Sequence, residues 1–125
     1  MYKSVIVVMI ASPFVWGACG ASFPPPTQRM ADAESAQRSA REVGANDEPA
    51  AQLSLKLADE QISQARTAMA ADENEKADSL LVRAKADAEL AIAQAREKNA
   101  HLAKQEAAKD SATQNTMNAN QGALK

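Results

Sequence analysis

Apolar residues fall into two patterns along this chain. Val5 to Val15 is an almost unbroken apolar run, and from Thr27 onward apolar side chains return only in steps of three and four. The second pattern is that of amphipathic helices, because positions three and four apart share one helical face. Between the two lies Ala21-Ser22-Phe23-Pro24-Pro25-Pro26, whose consecutive prolines favour an extended, stiff conformation.

Three helices are expected. The first covers about 27–43, with Ala33, Ala36, Ala40 and Val43 as a narrow stripe and Gly44 as its left-handed C-terminal cap. The second starts after a cap at Asn46 or Asp47, takes Pro49 into its first turn and runs to about Ala71. Its seam is Leu55, Ala58, Ile62, Ala65 and Met69, with Leu53 and Leu57 widening that face. Asp72, with Glu75 three residues later, has the form of a capping box for a third helix over about 73–106. There Ala77, Leu81, Ala84, Ala88, Ala91 and Ala95 repeat the spacing, flanked by Leu80, Leu90 and Ile92.

These elements predict an all-α fold, a small antiparallel bundle or hairpin of about three Ala-rich helices. The division is a leader over 1–18, a Pro-rich tether over 19–26, a helical domain over 27–104 and a frayed or disordered polar tail over 105–125. The tail is rich in Gln, Asn, Ala, Thr and Ser and lacks the apolar area to fold independently. The core is thin, since alanine buries little area and each larger aliphatic side chain contributes only about 1.5–3 kcal/mol when fully buried. Alanine seams also let helices approach closely, so self-association or docking on a partner helix is expected, with Leu55, Ala58, Ile62, Ala65, Met69, Leu81, Ala84 and Ala88 as the interaction seam.

Charge and composition narrow the functional classes. The 14 basic and 16 acidic residues give a net charge of −2, and loss of Lys3 with the leader makes the remainder more acidic, which argues against a nucleic-acid partner. Tyr2, Phe14 and Trp16 lie in the leader, so Phe23 is the one aromatic residue beyond it and no stacking platform exists for bases or sugars.

The leader has the form of an export signal: Met1-Tyr2-Lys3 is a short basic end, an apolar run follows, and small residues precede the sole cysteine, Cys19. Trp16-Gly17-Ala18-Cys19 resembles a bacterial lipobox, with Trp16 where that pattern usually has leucine. The resemblance implies cleavage between Ala18 and Cys19, a covalent diacylglycerol and N-acyl chain on Cys19, and no other cofactor. Each buried methylene contributes roughly 0.8 kcal/mol, so several acyl chains hold a small domain on a bilayer. Gly20 after the cysteine, by resemblance to lipoprotein sorting in Gram-negative bacteria, implies the outer membrane, with the domain in the periplasm.

The Pro49-Ala50 helix start, the stretch LADEQISQA from Leu57 to Ala65 and the alanine-rich stretch from Leu81 to Ala95 resemble the family called domain of unknown function 4398. That family occurs on short bacterial envelope lipoproteins. The resemblance implies a helical envelope domain and supplies no activity and no binding residues.

Catalytic chemistry has no foothold in the sequence. It contains no GxSxG, HExxH, Walker loop, GxGxxG or CxxC, so no enzyme is expected. His101 stands alone as an imidazole, late in a helix where a cation suits the helix dipole. Asp72, Glu73, Glu75 and Asp78 sit where helix-starting carboxylates ordinarily do, and no metal site is expected.

The leading expectation is therefore a non-enzymatic envelope lipoprotein whose helical domain is a structural or protein-interaction module, with an envelope protein or peptidoglycan as partner, or a second copy as a homo-oligomer. The alternative resembles the small murein lipoproteins, Ala-rich helices whose terminal lysine is joined to peptidoglycan, a position that Lys125 matches. A metal-handling or enzymatic accessory protein is a third class, and it lacks both a nucleophile–base pair and a ligand cluster.

Overall fold

The computed structural model of the protein describes residues 23–122, which form three helices, α1 (Thr27–Glu42), α2 (Pro49–Ala70) and α3 (Asn74–Gly122), with a 3-10 turn at Ala45–Asp47. Paired contacts give the topology. Ser54 meets Gln94 and Gln61 meets Asp87, so seven residues up α2 match seven down α3 and the two are antiparallel. Glu34 meets Arg66 and Arg41 meets Asp59, which makes α1 antiparallel to α2 by the same step of seven. Phe23 meets Asn74 and Val43 meets Asn99, so α1 rises parallel to α3.

The buried positions explain why the helices pack this way. On α2 they include Ala51, Leu55, Ala58, Ile62 and Ala65, and on α3 Ala77, Leu81, Ala84, Ala88, Ala91 and Ala95, both in alternating steps of four and three. That seven-residue repeat keeps one stripe facing its neighbours along the whole contact. Two apolar clusters result: Ala33, Ile62, Ala65, Ala77, Leu80 and Leu81 near the α2–α3 turn, and Ala40, Ala45, Leu55 and Ala91 near the α1–α2 link. Leu81 is the largest side chain that is fully buried.

The helix ends differ from those expected. α2 is capped not by Asn46 or Asp47 but by Glu48, whose carboxylate accepts the Ala51 N–H at 2.7 Å. Asn46 and Asp47 are taken up in the 3-10 turn that follows Gly44, which does adopt the left-handed conformation expected of it, at φ 90°. Asp72 is not the cap of α3. It closes α2 at φ 58°, with its own N–H on the Met69 carbonyl and the Glu73 N–H on the Ala68 carbonyl, the paired bonds of a Schellman ending. With no glycine in the turn, aspartate takes the left-handed position, which its short polar side chain tolerates better than most.

α3 passes the expected end near Glu106 and continues to Gly122. From Arg96 to Gln121 every residue is exposed, so this stretch adds nothing to the core, in keeping with its polar composition. Its helicity is local: alanine, glutamine, lysine and glutamate favour the helix, while Ser111, Thr113 and Thr116, weaker formers, place their hydroxyls on carbonyls four residues earlier. The described part of α3 reaches Gly122, the first glycine after Gly44.

Candidate functional site

The expected site residues fall into three groups. Ala18, Cys19 and Lys125 lie outside the residues that the structure describes. The eight seam residues, from Leu55 to Ala88, are brought together, but inside the monomer. All are buried except Met69, which packs half-buried against the cluster at the α2–α3 turn. Packing among the three helices takes up this face, Met69 only in part.

The widening residues went the other way. Leu53 is 61% exposed and Leu57 41%, and Leu90 on α3 is 49% exposed. At 100° per residue, Leu57 and Leu90 fall beside Gln61 and Asp87, on the flank of the α2–α3 pair that turns away from α1. The bundle centre takes about one residue per turn on each helix, and the buried positions spaced by three and four already fill it.

The end of the bundle nearest the tether is the most specifically built region. The Asn74 side chain donates to the Phe23 carbonyl at 2.9 Å, across 51 positions of sequence. Pro26 is buried and its carbonyl accepts the Met30 N–H at 3.0 Å, which starts α1. The Arg29 guanidinium pairs with Asp78 on α3, and Met30 packs on the apolar cluster beneath. The Asn74 bond, the Arg29–Asp78 pair and the packing of Met30 thus seat this segment on the start of α3. By sequence alone, Phe23 to Pro26 are only part of a stiff spacer. Asn74, the first residue of α3 and 51 positions away, carries no local signal of this contact.

The remaining polar groups are dispersed or paired with near neighbours. His101 is exposed and its closest acidic partner is Glu97, at 3.7 Å one turn earlier on the same helix. Of the acidic group, Glu73 pairs with Lys76 at 2.7 Å and Asp78 with Arg29, while Asp72 sits in the turn. Among the described residues no group of three or more His, Cys, Asp or Glu side chains converges as a metal site would require. The hollows are open surface grooves. One of about 330 Å³ lies between Glu48, Gln94 and His101, and one of about 390 Å³ between Gln64, Thr67 and Lys76. No described helix is long and apolar enough to cross a membrane.

A family model for a domain of unknown function matches residues 28–114, which takes in the whole bundle and the first part of the α3 projection. No curated protein and no solved structure matches the chain.

Proposed function

We propose a function for a chain that belongs to the family described as Domain of unknown function (DUF4398): a non-enzymatic, lipid-anchored structural module of the bacterial cell envelope. Cys19 carries the anchor, as a diacylglycerol thioether with an N-acyl chain, after cleavage behind Ala18. The observation that carries this reading is the Asn74 bond to Phe23, four residues after Cys19. A free linker needs no such bond. The bond fixes where the chain that follows Cys19 joins the folded domain, at the start of α3. The lipobox-like residues Gly17, Ala18 and Cys19 stand at a spacing that suits this use.

Localisation at the outer membrane, with the domain in the periplasm, goes with Gly20 after the cysteine. A seam closed inside the monomer favours a structural role over docking through that seam, and leaves the Leu53, Leu57 and Leu90 flank as the apolar surface open to an envelope partner.

The test is the intact mass of the protein purified from membranes after muramidase digestion, beside a Cys19→Ala variant. We expect residues 19–125 plus glyceride and fatty acyl groups in the wild type, and neither in the variant. An unmodified Cys19 overturns the reading. The same spectrum examines wall attachment, since a muropeptide that disappears on deletion of Lys125 makes the protein a membrane-to-wall tether.

A further inference from the structure

We infer that the fold is a directional strut, which holds the free part of α3 far from the surface that carries Cys19; this rests on the lipid-anchoring reading above. Phe23 follows Cys19 by four positions, and an extended chain covers at most about 3.6 Å per residue, so the Cα of Cys19 lies within about 14 Å of that of Phe23 whatever path the chain takes. Phe23 is bound to Asn74, the first residue of α3. α3 then runs 49 residues without a break to Gly122, which at about 1.5 Å per residue is roughly 70 Å. The lipid and the far end of the described α3 are therefore at opposite poles, at least about 45 Å apart once the Phe23–Asn74 contact and the cysteine side chain are allowed for.

Opposite poles give height only if the rod does not lie down. A helix that rests in a membrane interface needs a continuous apolar face with a basic border. The projecting part of α3 has neither. Its exposed large apolar residues are Leu102 and Met117, about four turns apart, with Glu106, Lys109, Asp110 and Thr113 between them. The pole beside the anchor is no more adhesive: Asp72, Glu73, Glu75 and Asp78 outnumber Arg29 and Lys76 there, and anionic headgroups repel that balance. The Asn74 bond and the Arg29–Asp78 pair meanwhile hold the segment from Phe23 onward to the start of α3, so only a short stretch of chain lies between anchor and bundle. Standing off the surface is the arrangement these charges and contacts favour, and it presents residues 100–122 to whatever lies beyond.

Neutron reflectometry on a supported phospholipid bilayer containing the lipidated protein purified from membranes tests this. The expected profile places protein density out to about 70 Å from the headgroups. Deleting Ala108 to Gln121 should shorten it by about 21 Å, since those residues contribute about 1.5 Å each. A layer only about 20 Å thick, two helix diameters, with no change on deletion, overturns the strut while leaving lipid anchoring intact. If the membrane-purified protein carries an unmodified Cys19, the anchoring reading falls first and the strut with it.

Discussion

The Ser54 hydroxyl reaches from α2 to the side-chain oxygen of Gln94 on α3, at 3.0 Å, and Ser54 is the buried polar residue within an otherwise apolar stripe of described residues. The pair sets where α2 stops sliding along α3. Ser54→Ala keeps the volume and removes the bond. We expect a loss of about 1 kcal/mol, seen as a fall of several degrees in the melting temperature followed by circular dichroism.

Core volume is the more severe constraint. Ala84 and Ala91 are fully buried where α3 approaches its neighbours. Enlarging either to leucine should cost about 1–3 kcal/mol or more, because the helices must separate to admit it. Leu81, 1% exposed, fails in the opposite sense, and Leu81→Ala should cost about 2–5 kcal/mol. Leu53→Lys changes an exposed position and should stay within about 0.5 kcal/mol of the parent. Urea titration of the four variants checks the ordering; a Leu53→Lys variant as damaged as Leu81→Ala would contradict the assignment of faces.

The turn between α2 and α3 holds an opportunity for stabilisation. Asp72 adopts φ 58°, a conformation that glycine enters without steric cost. Asp72→Gly should be neutral or stabilising by up to about 1 kcal/mol, and Asp72→Val, β-branched and unable to bond locally, should be destabilising by more than that. Thermal melts of the two variants should move in different directions.

At the other end of α2, Glu48 accepts the Ala51 N–H at 2.7 Å. Glu48→Ala should cost about 0.5–2 kcal/mol, the usual range for a lost side-chain cap. Asn46→Ala and Asp47→Ala should cost less, since neither side chain caps this helix. Chemical denaturation of the three variants separates them.

The three helices and their seams were legible in the sequence because spacing alone reports which residues share a face. Leu55, Ala58, Ile62 and Ala65 needed only their alternation to be placed inside. Partner choice was not legible: the same stripe suits a neighbour in the chain or another molecule, and only the register of Ser54 with Gln94 and Gln61 with Asp87 shows that the chain closes on itself. Leu53 and Leu57 misled because leucine suggests burial, whereas a helix in a three-helix bundle buries about one residue in three. Asp72 misled because aspartate serves helix starts and left-handed turns alike. The seat of Phe23 on Asn74 was invisible, since a side-chain bond to a main-chain carbonyl needs only that one residue pass near another.

Because α1 runs parallel to α3, a pull on Phe23 away from Gly122 loads the two helices lengthwise in opposite directions. Such a load is shear. Contacts along the pair, from Arg29–Asp78 to Val43–Asn99, share it together instead of yielding one after another as they would if the helices were peeled apart from one end. A protein built on alanine, with little cohesion per residue, gains from that geometry a resistance to tension that its core size alone would not suggest.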